Sequence, residues 1–426
     1  MYDSILKFYK TFSLETYPKH LQEKAKLVIL DSVSIMLNDG YSERTAALYR
    51  QFRDGPAAFA SFVQGVTLVS NELDEGNMLA KGHPSAHFLP ALLQVAIERQ
   101  ATSKAFLESF IVGYEISARF GEIIDLKPEI HPHANWGLIG GGFAFAKLLN
   151  IREDDSILRA AGLAAQFAFP TLWKPIFKGD EARNIAIGLN NLTLTLLPRL
   201  LEADYGSDLE NVESLYEDII GTGFHKEAFQ TDFSKYYLEK TYFKFYDSCR
   251  FCHGPIDAVL QLIRKIPNFS VNDLKSVVID TYANAAKLHQ QNDANHFAGK
   301  FSIPYAIATA IYNQVEDPST EENIQALASK IMVKEDPSIN ALLPSIRATR
   351  AKIQYSKKLL EHYIEGATGD ENTEFLDKMI TQKAEGYLRA VFDEECVQTI
   401  KHFIFNLEKD QKMGSGFPWN GMQKLM

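Results

Sequence analysis

Over roughly its first 240 residues the chain repeats apolar side chains every three or four positions and almost never every two, a period that suits helices and little else. Ala25 to Leu37 is one such run, and Asn38, Asp39 and Gly40 behind it make a C-terminal stop. The same period predicts helices over 88–99, 103–119, 138–149, 155–168, 181–202 and 210–220. Gly137, Gly140, Gly141 and Gly142 fall inside a run of small residues with no strand before them, so they read as a place of close helix–helix approach rather than a phosphate loop. Past residue 265 the texture changes. The β-branched and aromatic residues of 274–282, 351–355 and 359–365 predict strands, with helices over 304–314 and 321–333 between them. A length of 426 residues exceeds what one hydrophobic core organises. The expected fold is therefore mainly α: a large all-helical domain with a smaller α+β domain at about 240–370, and a helical tail from about 372 that packs back on the first domain.

Composition narrows the function. Forty-four basic against 54 acidic residues leave a net charge of −10, which argues against nucleic acid as a partner, since phosphate binding needs clustered cations. The opening residues Met1 to Lys7 have no basic segment ahead of an apolar one, and no apolar run approaches the eighteen or so residues of a membrane span. With three cysteines, this reads as a cytoplasmic protein that does not enter a membrane.

Four clusters carry the chemistry. The densest is Lys244 to Asp257 (KFYDSCRFCHGPID), which brings Lys244, Tyr246, Cys249, Arg250 and His253 into ten residues between an aromatic run and an amphipathic helix. A packing segment has no use for so many ionisable groups, so it reads as an active-site wall. Cys249-x-x-Cys252-His253 also spells haem attachment and half a zinc site, but Cys396 is the sole remaining cysteine and stands alone; no metal and no cofactor is expected. The second cluster is the loop Leu73 to Ser85, where Gly76 and Gly82 allow tight turns and Asp74 and His83 can converge; the alternative is a solvated loop with a capping Asp. The third is Ile130 to Trp136, with His131 and His133 flanking Pro132 ahead of the glycine-rich helix, whose dipole favours neutral imidazole and so suits His131 to a general base. The fourth holds Lys174 beside Trp173 and Pro175, read either as a partly buried cation or as an ordinary surface lysine. Together they supply cations and proton shuttles, a combination suited to removing a Cα proton next to a carboxylate and expelling a β-hydroxyl.

Taken in order, Leu73-Asp-Glu-Gly-Asn…Gly-His-Pro-Ser85, Gly113-Tyr-Glu115…Arg119, His131-Pro…Trp-Gly137, Lys174…Gly179, Lys244-x-Tyr-x-x-Cys249…His253…Asp257 and Lys300-Phe-Ser-Ile-Pro-Tyr305 resemble the MmgE/PrpD family. That family includes 2-methylcitrate dehydratase, cis-aconitate decarboxylase and iminodisuccinate epimerase, and the resemblance runs from about Lys24 to Lys383. It implies a helical domain built from both ends of the chain (1–236 and 372–426), an inserted α+β lid (237–371), a homodimer, and a metal-free site between the domains. It also implies a small carboxylate substrate and a lyase reaction, dehydration first, with decarboxylation or epimerisation behind it. By the same resemblance Asp74, His83, His131, Lys174, Lys244 and Tyr246 are the catalytic positions. Lys174, Lys244 and Arg250 would neutralise carboxylates, with His133, Cys249 and His253 nearby. His133 stands where many members have Thr, Phe177 where many have His, and Cys249 where decarboxylase-type members have His. The chain is also short for the family. Outside the family, the same letters are open to a helical scaffold without catalysis.

Overall fold

The computed structural model describes residues 1–38, 42–291, 295–315 and 320–414. Its chain divides into two compact units. The first takes Met1–Trp173, Ala182–Phe243 and the residues from Glu374 onward, and the second takes Lys174–Glu181 and Lys244–Thr373.

The first unit is helical. Helices Leu89–Glu98, Ser103–Ile123, Gly137–Leu148, Asp154–Ala165 and Ala182–Glu202 fall where the period places them, within a few residues at each end; Lys19–Met36 starts ahead of the expected Ala25, and Ala58–Ser70 is a helix the sequence reading did not mark. Of the stop proposed behind helix Lys19–Met36, Asp39 and Gly40 lie outside the described residues. Over 210–220 the chain makes one α-turn, Asn211–Ser214, and then a π-helical turn, Leu215–Ile219. The glycine run does what its small size allows. A Cβ on Gly140 would collide with Ser117 and the Gly113 carbonyl of helix Ser103–Ile123, and one on Gly142 would stand 2.5 Å from Ala161 Cα of helix Asp154–Ala165, so three helices meet across bare backbone. The tail returns to this unit as helices Leu376–Arg389 and Glu394–Phe405, the former packing on Lys19–Met36.

Residues 237–243 belong to the first unit, not to the α+β unit, because Thr241–Tyr242 pairs antiparallel with Gly76–Asn77 of the 71–88 loop. Glu115 reinforces this. Its carboxylate accepts from the backbone N–H groups of Tyr237 (2.9 Å) and Leu238 (3.0 Å), and pairs with Arg119 at 2.5 Å, so the Glu115…Arg119 motif is a structural clasp.

The second unit carries a four-stranded sheet in the order Ile331–Glu335, Leu274–Thr281, Thr349–Tyr355, Lys358–Ile364. Its first pair is parallel and the other two are antiparallel. One expectation fails here. The helix read over 321–333 stops at Ala328, and Ile331–Glu335 is a strand in parallel register with Val277 to Thr281. Ile324, Leu327, Ala328 and Ile331 satisfy the helical spacing i, i+3, i+4, i+7, so periodicity alone carries the helix too far. Helices Arg250–Ile263 and Ile303–Tyr312 pack together, and the former also covers the last two strands. No helix among the described residues is long and apolar enough to cross a membrane.

Candidate active site

The 71–88 loop leaves helix Ala58–Ser70 and returns as a short 3-10 turn, Ser85–His87. Gly76 and Gly82 serve close approach rather than turning: a Cβ on the first would enter the Tyr242 ring, and one on the second would lie 2.6 Å from Trp136. With the backbone pinned this way, Asp74 and His83 meet. Asp74 is fully buried, and its Oδ2 lies 3.0 Å from Nδ1 of His83, whose side chain is 12% exposed. The same Nδ1 is 2.6 Å from the Glu75 carbonyl. Two acceptors facing one ring nitrogen place the proton on Nδ1, which leaves Nε2 of the neutral ring as the basic nitrogen.

His131 and His133 stack edge to face, their ring centroids 4.5 Å apart, and both are buried. The backbone holds them firmly: His131 N–H donates to the Thr171 carbonyl at 2.8 Å, and Asn135 Nδ2 donates to both histidine carbonyls. Nδ1 of His131 accepts the His133 backbone N–H at 3.1 Å and its Nε2 lies 3.4 Å from Arg183 Nη1, so both ring nitrogens face donors, which disfavours His131 as the base. The glycine-rich helix begins only at Gly137, too far for its dipole to act, because that field fades within the first turn.

A residue outside the sequence-based set lies against both rings. Arg183, in the first turn of helix Ala182–Glu202, brings Nη1 to 2.9 Å from Nδ1 of His133 and 3.4 Å from Nε2 of His131, and its Nη2 pairs with the Glu72 carboxylate. Glu72 reaches it from a left-handed backbone at φ 53°. Asp74, His83 and His133 offer ligand atoms within 4.8 Å of one another, the spacing of a potential metal centre.

Two further groups complete the cluster. Glu75, fully buried, accepts from the Ser85 N–H (2.9 Å), the Ser85 hydroxyl (2.5 Å) and the Tyr114 hydroxyl (2.9 Å), yet loss of hydration outweighs these bonds and pushes its carboxyl up to about 7. His87 donates Nδ1–H to the His83 carbonyl (2.9 Å) and accepts the Ala134 N–H at Nε2 (3.2 Å), while burial pushes it down to about 4. It is a neutral structural histidine.

In the second unit Lys244, Tyr246, Cys249, Arg250 and His253 lie together around the start of helix Arg250–Ile263. Lys244 is fully buried. Tyr246 is not a base. Burial and the Asp257 carboxylate, to which its hydroxyl donates at 2.6 Å, raise its phenol well above the ordinary range. Arg250 is engaged within the unit by Asp370 (2.5 Å) and the Thr368 carbonyl (2.9 Å), so the structure gives it a local role rather than the anticipated contact with substrate. His253 accepts from Arg250 at Nδ1 (3.2 Å) and donates Nε2–H to the Ser248 carbonyl (3.2 Å), which occupies both nitrogens. Burial pushes the Cys252 thiol up. Lys174 is exposed, as in the surface-lysine reading of the two left open, on the segment Lys174–Glu181 that joins this unit through the Gly179 carbonyl, which accepts from Asn295 Nδ2 at 3.0 Å.

Sequence reasoning missed Glu72, Glu75 and Arg183. The signal for the first two was present: three carboxylates in four residues, Glu72 to Glu75, follow directly on an apolar helix. Nothing local to Arg183 marks it, since its partners stand 50 to 111 positions away.

Comparison with known proteins gives matches along most of the chain. Residues 36–174 match the MmgE/PrpD N-terminal domain, and residues 246–409 match the MmgE/PrpD C-terminal domain. Among curated proteins, a cis-aconitate decarboxylase of Aspergillus terreus (strain NIH 2624 / FGSC A1156) is 22% identical, the alignment covering 92% of this chain and 90% of the relative. A second cis-aconitate decarboxylase from Aspergillus terreus matches with the same identity and coverage.

Proposed function

The chain belongs to the MmgE/PrpD family, and from that premise we propose that it is a cofactor-free lyase acting on a small di- or tricarboxylate by proton transfer at a carbon next to a carboxylate. The observation that carries this is the Asp74–His83 pair, buried, 3.0 Å long and polarised so that Nε2 of His83 is the acceptor. In the reaction His83 Nε2 removes the Cα proton, and the carbon–hydrogen electron pair forms the double bond as the β-carbon–oxygen bond breaks. The imidazolium then returns its proton to the departing hydroxyl, which leaves as water. Asp74 and the Glu75 carbonyl hold the ring and stabilise its cationic form. His131 and His133, stacked beside His83, are the hydrogen-bond donors to the carboxylate oxygen on which negative charge grows, as preorganised dipoles are. Lys174 and Lys244 are the cations for the substrate's carboxylates.

Dehydration of a 2-methylcitrate-like substrate is the first reading. Decarboxylation is the second, favoured by the curated relatives, both cis-aconitate decarboxylases. Against it stands Cys249, at the place of a His in decarboxylase-type members. Both reactions pass through a carbanion-like centre that His83 can deprotonate or protonate.

The test is a panel of citrate-like, aconitate-like and amino-dicarboxylate compounds in deuterated buffer, followed by NMR for loss of water, release of carbon dioxide and inversion separately. The expected result is turnover of one class, with solvent exchange of the Cα hydrogen abolished in His83→Gln and retained, though slowed, in His131→Gln. Exchange at the wild-type rate in His83→Gln would place the base elsewhere.

The protein is further proposed to be a cytoplasmic homodimer. Ile185 (40% exposed) and Leu196 (46%) share a helix face with the partly buried Leu189 and Leu192, an apolar stripe of the kind that subunits cover. Sedimentation at a monomer's mass would remove this part.

A further inference from the structure

One motif of the sequence, Cys249-x-x-Cys252, has no part in the proton transfer proposed above. Folding sets it at the start of helix Arg250–Ile263, which is 14 residues long. Cys249 is the N-cap, at φ −51° and ψ 138°, and Cys252 stands in the first turn. The Cys252 N–H donates to the Cys249 carbonyl at 2.8 Å. A turn closed in this way keeps the two Cα atoms within about 7 Å, and disulfides bridge separations of roughly 4.4–6.8 Å. The inner side chain also points toward the outer residue. Its Sγ lies 3.9 Å from the Lys300 carbonyl, the same oxygen that accepts the Cys249 N–H at 2.8 Å. Both residues carry thiols in this structure, and burial separates them: Cys249 is 8% exposed and Cys252 fully buried.

We propose that Cys249 and Cys252 form a dithiol site that small-molecule disulfides oxidise to an intramolecular disulfide. Cys249 reacts first, since it is the thiol that a solute reaches, and the helix N-terminus at which it caps favours an anionic sulfur. Its thiolate bonds to one sulfur of the incoming disulfide, whose S–S bond breaks, and the other half leaves as a thiolate that takes up the proton Cys249 gave up. Cys252 then loses its proton and attacks the Cys249 sulfur, which breaks the mixed disulfide and expels the second thiolate. Two protein thiols are oxidised, and one small disulfide is reduced to two thiols. Burial pushes the Cys252 thiol up and keeps solutes away from it, so it enters only at the second step, where its partner is already in place. Lys244 lies near enough for its charge to favour the Cys252 thiolate. His253, next in sequence, has both ring nitrogens engaged, so the departing thiolates carry the protons away.

The proposal stands apart from the lyase reading, and its test needs no turnover. Full-length reduced protein is incubated with glutathione disulfide, denatured, blocked with N-ethylmaleimide, and read by intact mass and peptide mapping. The chain has three cysteines, and the third, Cys396, lies in the first unit as an internal control. Oxidised wild type should therefore take up one maleimide in place of three, lose two hydrogens and give the single cross-link Cys249 to Cys252, all reversed by reductant. Cys252→Ser should trap one glutathione on Cys249, and Cys249→Ser should take up none at Cys252. Three maleimides on wild type after oxidation overturn the proposal, as does a mixed disulfide that persists there without the cross-link. A cross-link that includes Cys396 is the chemistry of an unfolded chain and overturns it equally. These wild-type results decide whether or not either variant folds. Failure of the whole substrate panel would remove the lyase reading while leaving the sulfur count to decide on the cysteines alone.

Discussion

Lys383 donates its ammonium to the main-chain carbonyl of Leu73 at 3.0 Å while pairing with Asp31 at 2.8 Å. A residue 310 positions away thereby holds the backbone next to Asp74. Lys383 is nearly buried and Asp31 fully so. Lys383→Met takes the cation away from a buried carboxylate and should lower stability by up to about 3–5 kcal/mol, the cost of breaking a buried pair from one side. Adding Asp31→Asn should restore most of it. Denaturant midpoints for the two variants decide, and an unchanged midpoint in Lys383→Met would show that the pair holds nothing.

The pH dependence of stability should reveal Glu75 and His87 as opposing groups. Glu75, raised from 4.5 to about 7, contributes stability that is complete below pH 4.5 and is lost as pH rises through 7. His87, lowered from 6.5 to about 4, contributes stability that is complete above pH 6.5 and is lost as pH falls toward 4. Between pH 4.5 and 6.5 their slopes cancel. Relative to wild type, Glu75→Gln should therefore gain about 1.4 kcal/mol per pH unit as pH rises through that window, and His87→Gln should gain as pH falls. Parallel stability curves for wild type and both variants would contradict the two shifts.

Asp74→Asn leaves the Glu75 carbonyl as acceptor for Nδ1–H of His83 and removes the charge that stabilises its imidazolium. A fall in kcat of about 10²–10⁴ with little change in KM is expected, the range of a general base deprived of its support. A change confined to KM would make Asp74 a binding residue.

Lys174→Met and Lys244→Met preserve bulk and delete one cation each. Each should weaken transition-state stabilisation by about 2–4 kcal/mol in kcat/KM. Lys174 is exposed and Lys244 fully buried, so Lys244→Met should also change stability while Lys174→Met should not. Wild-type kinetics in both would return them to ordinary lysines.

Exhaustive chelation should leave activity intact, because the proposed proton transfer uses no metal and His253, beside the two cysteines, has both nitrogens engaged. Elemental analysis showing one zinc or iron per chain, with activity lost on its removal, would overturn the cofactor-free reading.

The helices of the first unit were legible because an apolar stripe at helical spacing is a local property, as in Ser103–Ile123, whose Thr102 cap is also written beside it. The strands Leu274–Thr281 and Thr349–Tyr355 were legible through their β-branched residues, whereas Ile331–Glu335 was not, because its side chains fit both periods and only pairing with Val277 and Ile279 selects the strand. At the site, the sequence alone determined which chemical groups are present: Asp74 and His83 in one glycine-bearing loop, His131 and His133 two residues apart, and Lys244 to His253 in one stretch. Which nitrogen carries a proton was decided only by the tertiary structure. At His83 that choice depends on partners set in place by folding: the Glu75 carbonyl and Asp74 carboxylate on one side of the ring, and Lys383 behind Leu73. Residue type sets what a side chain can donate or accept, but hydrogen-bond polarity is a property of pairs within about 3 Å, and the chain makes those pairs only when it folds.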